Sequence, residues 1–118
     1  MPTRDSLRTL MRTVMRFRDE RDWKQFHGFK DLAITLALEA AEVLEHSQWK
    51  SEAQIRSYLK KNREHVADEL ADVLHVLLLL AEHAQIDLVE AFDRKMKKNQ
   101  CPTILSHQDS GQSFSSLP

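Results

Sequence analysis

Apolar residues recur every three or four positions along most of this chain, the spacing that places side chains on one face of an α-helix. The first such stretch predicts a helix over residues 3–19. Its apolar positions are Leu7, Leu10, Met11, Val14 and Phe17. Residues 21–30 do not continue the pattern, and we expect them to form a loop.

Two capping signals mark where the next helices begin. Residues 31–46 form the second helical stretch, for which Asp31 is the expected N-cap. The pattern resumes at Ser51, and Gln54 follows three residues later, so the two residues match a capping box. A loop is therefore expected between residue 46 and Ser51.

The remaining helical stretches reach close to the end of the chain. From Ser51 the pattern continues to Ala84, either in one helix or in two that meet near Asn62. Asp87 is the expected N-cap of a last helix that ends near Asn99, because Pro102 prevents its continuation.

The composition agrees with an all-α protein. The 118 residues include only 2 glycines and 3 prolines, while 42% are hydrophobic and 30% are charged. Scarce helix breakers favour helices throughout, and the length suits one domain. We predict an all-α bundle of four to five helices in residues 1–105. Residues 106–118 are rich in serine and glutamine and are expected to be a disordered tail.

Net charge, apolar run length and cysteine content help to predict the binding partners of this protein and the compartment in which it works. The net charge of −1 gives no support to general nucleic-acid binding. The longest apolar run, residues 76–81, is far shorter than the roughly 20 residues that a membrane-spanning helix needs. The single cysteine, Cys101, cannot form an intramolecular disulfide and fits a reducing cytoplasm. Since no apolar segment follows Met1, we expect a cytoplasmic protein without a signal peptide.

The run Val76–Ala81 is apolar on every side of a helix. A helix of a small monomeric bundle usually keeps one face in water. We interpret the run as a surface buried between subunits of a homo-oligomer. The alternative is a central helix that its own neighbours surround.

Two pairs of carboxylates stand out within apolar helical stretches. Glu39 and Glu42 lie in residues 32–44, where the only other polar residue is Thr35. The spacing i, i+4, i+7 places all three on one stripe of the helix. The second pair is Glu69 and Asp72, in a stretch whose only later polar residue is His75.

Carboxylates in apolar surroundings need a counter-charge, because removing each charge from water costs several kcal/mol. The two helices carry no comparable basic stripe. A single Glu-x-x-Glu spacing is weak evidence, but two pairs together indicate a bound divalent cation. Oxygen-only ligands favour Mg²⁺ or Mn²⁺ over Zn²⁺, and Mg²⁺ commonly shares its coordination with phosphate oxygens. The pairs therefore predict a metal site for a phosphorylated substrate.

Several motifs together carry a resemblance to a known family. They are the segment Arg21–His27, the sequences Glu39-Ala-Ala-Glu42 and Glu69-Leu-Ala-Asp72, the pair Gln48-Trp49, and Lys95-Met96 with Asn99. In this order they resemble the MazG-like, all-α nucleoside triphosphate pyrophosphohydrolases, and within them the single-domain dCTP pyrophosphatase type. The resemblance covers about residues 7–102.

The resemblance implies a hydrolase that cleaves an NTP or dNTP to the monophosphate and pyrophosphate and so cleans the nucleotide pool. It implies a Mg²⁺ site and catalytic centre built from Glu39, Glu42, Glu69 and Asp72, in an obligate dimer or tetramer. Metal-activated water would attack the α-phosphorus. Our hypothesis for the group that takes the water's proton is Glu42.

Two positions depart from the dCTP-type pattern. Enzymes of that type carry a histidine in the first helix that helps to form the base pocket, and Val14 stands at that place here. The usual Tyr-Pro after the last helix reads Cys101-Pro102. Both changes argue against strict cytosine specificity.

Five further residues are candidates for substrate binding. Taken from the sequence alone, Trp23 and Trp49 are better explained as hydrophobic anchors than as rings that stack on a base. The resemblance reverses this preference for Trp49 and for His27, and it leaves Trp23 open. Lys95 and Asn99 are four residues apart on the last helix and are candidates for phosphate contacts, although helix-dipole compensation explains most of the basic cluster there.

Two other functional classes stay open at this point. One is a non-catalytic helical oligomerisation module, in which the acids would be solvated or paired across subunits. The other is a di-iron carboxylate bundle, a class that uses Glu-x-x-His on two helices. Asp72-x-x-His75 is the nearest approach to that motif.

Overall fold

The computed structural model describes residues 4–100, which form five α-helices and a short 3₁₀-helix, with no strand among them. The α-helices are α1 (Arg4–Glu20), α2 (Phe29–Glu45), α3 (Glu52–Lys61), α4 (Arg63–His83) and α5 (Leu88–Asn99). The 3₁₀-helix, Lys24–Phe26, lies in the predicted loop. The all-α prediction is confirmed. The predicted tail, and Cys101-Pro102, lie outside the described residues.

The predicted caps of the later helices are confirmed. Ser51 Oγ accepts a hydrogen bond from the Gln54 amide at 3.2 Å, and the Ser51 amide donates to Gln54 Oε1 at 2.7 Å, which completes the capping box. Asn62 ends α3 and begins α4 with φ −114° and ψ 28°, so two helices meet there. Asp87 Oδ1 accepts from the amides of Val89 and Glu90, and α5 follows.

The predicted N-cap of the second helix is wrong by three residues. Gly28 is the N-cap, with an extended backbone, and the Leu32 amide donates to the Gly28 carbonyl at 3.0 Å. Asp31 lies inside the first turn instead. There its negative charge interacts favourably with the positive end of the helix dipole, so an acidic side chain suits this position without capping it.

Helix α4 is the centre of the packing in residues 4–86. Helix α2 packs along it, and α1 and α3 contact it as well. Val76, Leu78, Leu79 and Ala81 on α4 are buried, and Leu78 is only 1% exposed. The interpretation of the run Val76–Ala81 as a subunit interface is therefore wrong, because the single chain already buries most of it.

Apolar side chains remain exposed elsewhere on the two main helices. On α2, Ile34 and Leu38 lie one turn apart and are 49% and 61% exposed. On α4, Leu70 and Leu74 have the same spacing and are 53% and 36% exposed. We call these the α2 stripe and the α4 stripe. They are surfaces that a second subunit could cover.

The described residues divide into two compact units, residues 4–86 with α1–α4 and residues 87–100 with α5. Among the described residues, no helix combines the length and the apolar character that crossing a membrane requires.

Candidate metal centre and adjoining cavity

The two carboxylate pairs lie on α2 and α4, the two helices that pack along each other. Glu39, Glu69 and Asp72 each offer an oxygen atom, and these three atoms all lie within 4.8 Å of one another. We call this set the carboxylate cluster. A cation of ordinary ligand distances fits among three such oxygens after small side-chain rotations.

Glu42 lies beside the cluster on the more exposed side. Its hydrogen bond with Glu69 is the main reason why the pKa of Glu69 is raised. Its charge also contributes to the raised pKa of Glu39. The structure thus brings all four predicted carboxylates into one neighbourhood, although Glu42 does not belong to the close triad.

Burial is the first cause that raises the pKa of Glu39 above its ordinary value of 4.5, followed by the charges of Glu42 and Asp72. Among the described residues, no lysine or arginine forms an ion pair with these carboxylates. His65 Nε2 lies 3.7 Å from Glu69 Oε1, and its interaction with Glu69 partly opposes the rise in the pKa of that carboxyl. The negative charge of the carboxylate cluster is therefore not balanced by lysine or arginine side chains among the described residues.

One oxygen of the cluster lacks a partner. Glu39 Oε2 is buried and accepts no hydrogen bond. A buried, unpaired carboxylate oxygen is costly, and a cation among Glu39, Glu69 and Asp72 would satisfy it. The donor set is oxygen only, which fits the hard cations Mg²⁺ and Mn²⁺.

A cavity of about 240 Å³ opens onto this cluster. Its walls come from α1, the loop before α2, and the facing sides of α2 and α4. They comprise Phe17, Arg18, Trp23, His27, Asp31, Leu32, Thr35, Glu39, Asp72, His75, Val76 and Leu79. The stripe that Thr35 and Glu39 form on α2 is thus one wall, as the helical spacing predicts.

Aromatic rings line the cavity away from the carboxylates. Phe17 meets Trp23 and His75 edge to face, with ring centroids 5.7 and 5.6 Å apart. His27 lies 6.3 Å from Trp23, and its Nδ1 is buried without a hydrogen-bond partner. The cavity therefore combines flat apolar walls with two residues that each have an unpaired polar atom, His27 and Glu39, and such a lining suits an aromatic heterocycle.

The sequence model of the MazG-like family matches residues 34–117, which is most of the chain. The chain belongs to the MazG-like family. The matched segment contains all four carboxylates, the whole of α4 and the part of α2 from residue 34 onward.

Individual relatives agree with this membership. The rat protein dCTP pyrophosphatase 1 is 37% identical over 97 residues, which are 80% of this chain and 57% of the relative. The human protein of that name is 33% identical over 117 residues, or 96% of this chain and 68% of the relative. This MazG-like chain thus spans little more than half the length of the rat relative.

A solved structure supports the fold. The crystal structure of a pyrophosphatase from Archaeoglobus fulgidus superposes with a TM-score of 0.74 at 39% sequence identity. The match covers 79% of this chain and 87% of the archaeal one. The archaeal protein therefore shares the arrangement of helices of this chain.

Trp49, a predicted substrate residue of the MazG-like chain, is not among the residues that line the cavity. Trp49 is 97% exposed and borders a separate, open depression against α3. Its backbone has φ 63°, in the left-handed region. Lys95 and Asn99 lie on α5, and their side chains are exposed. The roles of all three stay predictions.

Sequence reasoning missed Arg18. The residue is only 8% exposed, and it lines the cavity while its Nε donates to Asp19 Oδ1 at 3.0 Å. A signal was present, because Leu7, Met11, Val14 and Arg18 follow the spacing i, i+4, i+7, i+11 along one helix face. An arginine on the inward face of this MazG-like helix is a buried cation, which makes it a candidate for contact with an anionic ligand.

Proposed function

We propose that this chain is a Mg²⁺-dependent nucleotide pyrophosphohydrolase. It would hydrolyse a dNTP, dCTP or a related one, to the monophosphate and pyrophosphate and so remove unwanted nucleotides. The observation that carries the proposal is the cavity that ends at the carboxylate cluster, where Glu39 Oε2 is buried and unpaired. The names of the rat and human relatives and of the archaeal structure support it.

The metal would be held by Glu39, Glu69 and Asp72, with Glu42 beside them. When bound, Mg²⁺ (or Mn²⁺) would neutralise charge on the triphosphate and on the leaving pyrophosphate and would lower the pKa of a coordinated water. The carboxylates on α2 and α4 fix where the phosphates lie. The base and sugar then extend into the cavity.

The volume of the cavity agrees with a ligand whose base and sugar lie in the cavity and whose phosphates lie at the carboxylate cluster. Pockets that enclose a whole small molecule usually measure roughly 300–1,000 Å³. The cavity of about 240 Å³ is smaller, so it suits the nucleoside part while the phosphates remain at the more open side near Asp72. Trp23 and Phe17 offer ring faces or edges to the base. His27 Nδ1 offers a hydrogen bond to its edge.

Glu42 is our candidate for the group that accepts the proton of the attacking water. It is exposed and lies outside the close triad. Its neighbours Glu39 and Glu69 hold it at the edge of the cluster. A carboxylate within reach of a bound water is a suitable general base.

Base selectivity is expected to be broader than dCTP alone, with deoxynucleotides preferred. Val14 stands where the dCTP-type enzymes carry a histidine, so one hydrogen bond that discriminates among bases is missing. Val14 is partly buried on α1, where an apolar side chain cannot read a base edge.

We further propose that the active form is a homodimer or homotetramer. The α2 stripe and the α4 stripe expose apolar surface in the described part of the chain, and burying such surface stabilises a subunit interface. A second subunit would also bring Trp49 or the pair Lys95 and Asn99 to a neighbouring cavity. This assignment explains a tryptophan that is 97% exposed in one chain. The single cysteine is compatible with the cytoplasm as the site of action.

The two other classes explain less. A di-iron site would need His75 among the metal-binding atoms, but His75 stacks edge to face on Phe17 and lies outside the carboxylate cluster. A purely structural module gives no reason for a cavity that adjoins an unpaired buried carboxylate. Hydrolysis of a nucleotide accounts for both features.

The proposal is tested with a panel of NTPs and dNTPs in Mg²⁺, assayed for pyrophosphate. We expect release from dNTPs that EDTA abolishes. Glu39→Gln, which removes a charge but little volume, should lower kcat on the order of 100-fold or more, since losing even a supporting contact of a metal ligand costs 10–100-fold. Glu45→Gln on the same helix is exposed and outside the cluster, so it is the matched control. Near-normal turnover by Glu39→Gln would overturn the metal-site assignment.

A further inference from the structure

A second group of side chains that could hold a metal ion shares Glu69 with the carboxylate cluster. His46, His65 and Glu69 each offer an atom, and these atoms lie within 4.8 Å of one another. His46 is at the C-terminal end of α2, while His65 and Glu69 are one turn apart on α4. The rings of His46 and His65 meet edge to face with centroids 5.1 Å apart. The function proposed above uses neither histidine.

His46 is the unusual member of this group. It is 8% exposed, and its Nε2 is buried without a hydrogen-bond partner. Its other ring nitrogen, Nδ1, lies 2.6 Å from the Tyr58 hydroxyl on α3. When Nδ1 donates its proton to that hydroxyl oxygen, Nε2 carries a lone pair. Metal-binding histidines are commonly oriented in this way by a partner of the second nitrogen.

The distance between His65 Nε2 and Glu69 Oε1 suits a small tetrahedral ion. Ligand atoms of Zn²⁺ at bond lengths of about 2.0–2.1 Å lie roughly 3.3–3.4 Å apart. His65 Nε2 and Glu69 Oε1 are 3.7 Å apart, so a small side-chain rotation closes the difference. His65 is exposed, which gives an ion access from solvent and leaves room for a water as the fourth ligand.

We propose that His46, His65 and Glu69 form a second metal site, selective for Zn²⁺ or a similar borderline transition-metal ion. Two imidazoles and one carboxylate suit such ions, whereas Mg²⁺ prefers oxygen ligands alone. The site is thus chemically distinct from the carboxylate cluster. Glu69 belongs to both groups, and its two oxygens allow one carboxylate to serve two ions.

The simpler explanation is an ion pair between His65 and Glu69 with no metal involved. That explanation leaves His46 Nε2 without a partner in a buried position, which costs free energy. A metal ion accounts for both the pair and the unused nitrogen. Measured metal binding separates the two explanations.

The test is calorimetric titration of the full chain, without a histidine tag, with Zn²⁺ in a large excess of Mg²⁺ and without nucleotide. We expect one Zn²⁺ per chain, and Co²⁺ in its place should give the visible absorption of a tetrahedral site. His65→Gln should weaken binding about tenfold or more. His83→Gln, an exposed histidine at the other end of α4, should bind as the wild type does. Cys101→Ser should also retain the site.

Equal Zn²⁺ affinity of the wild type and His65→Gln would overturn the proposal, and so would complete displacement of Zn²⁺ by Mg²⁺, which would place the ion in the carboxylate cluster. His46→Gln provides a second check when its helical circular dichroism matches the wild type. Because no nucleotide is present, the outcome does not depend on the pyrophosphate assay.

Discussion

Glu39 and Glu69 tie the protonation of single side chains to the stability of the fold. The pKa of Glu39 is raised above 4.5, first by burial, and that of Glu69 first by its hydrogen bond with Glu42. The folded chain therefore holds these protons more tightly than the unfolded chain does. Their contribution to stability is fully present below the unfolded pKa and is lost as pH rises through the raised values.

Because stability is lost as pH rises through the raised pKa values, the metal-free protein should become less stable at higher pH. In EDTA, Tm should fall as pH rises from about 4.5 towards neutrality, because the cluster becomes ionised and its charges repel. Excess Mg²⁺ should reduce the fall, since it binds the ionised carboxylates. Thermal denaturation followed by circular dichroism measures both curves.

The matched comparison for this prediction is Glu39→Gln, which cannot ionise at that position. Its fall in Tm with pH should be smaller than that of the wild type, and its Tm in EDTA at neutral pH should be higher. Parallel curves for the two proteins would show that the cluster does not couple to stability in this way.

The next prediction separates the two kinds of contact with the base. His27→Ala should change the ranking of dNTPs by kcat/KM, because a hydrogen bond to a base edge discriminates. Trp49→Ala should raise KM for every accepted dNTP, by an amount that corresponds to about 1–3 kcal/mol of stacking. It should leave Tm almost unchanged, since the side chain is 97% exposed. Steady-state kinetics on the four dNTPs give the answer, and an unchanged KM throughout would remove Trp49 from the pocket.

For single residues, the sequence predicts the chemical role of a side chain better than its position in the structure. The sequence identifies Glu39 and Glu69 because a carboxylate in an apolar helical stretch needs a counter-charge. That requirement can be recognised from the neighbouring residues in the sequence. The place of Trp49 depends on a turn with φ 63°, so no spacing rule predicts it. Arg18 lay in register with an apolar stripe, and only its charge led to its omission.

Among the elements, α3 depends most visibly on its first residue. Both hydrogen bonds of the capping box are present between Ser51 and Gln54, and the helix has only 10 residues with none of them buried. Ser51→Ala should therefore lower the free energy of unfolding by about 1 kcal/mol. Ser57→Ala, exposed on the same helix, should change it much less. Urea denaturation compares the variants, and equal midpoints would contradict the capping argument.

Helix ends differ in how well the sequence predicts them. Ser51 and Asp87 act through their own side chains, so the residue type identifies the cap. At the start of α2 the cap is Gly28, which acts through its backbone with no side-chain hydrogen bond. A side-chain rule applied there selects Asp31, the nearest acceptor, and misplaces the helix start.

For the whole molecule, the exposed apolar stripes lead to a prediction about assembly. Leu38→Glu on α2 or Leu70→Glu on α4 should shift the protein to a smaller species with its helical circular dichroism retained. A charge that becomes unpaired in an apolar interface costs several kcal/mol. Leu10→Glu on α1, which is 44% exposed and outside both stripes, is the control. Sedimentation velocity measures the oligomeric state of the wild type and the variants. A wild type that is monomeric at micromolar concentration would contradict the proposed homo-oligomer.

The fold class followed from composition and periodicity, but which surface faces outward did not. Helical periodicity shows that Val76–Ala81 is apolar all round and does not show what covers it. The structure shows that one chain buries most of this run, and that Leu38 and Leu70 are among the exposed apolar positions. Such a distinction depends on how four helices cross, which the pattern of one helix does not contain.

The central claim is that water attacks the α-phosphorus of a nucleoside triphosphate at the carboxylate cluster. The most direct measurement is hydrolysis of dCTP in water labelled with ¹⁸O, with Mg²⁺, followed by mass spectrometry of both products. We predict dCMP that carries one ¹⁸O atom and pyrophosphate that carries none. Label in the pyrophosphate, release of phosphate with dCDP, or no hydrolysis of dCTP or any other dNTP would contradict the account.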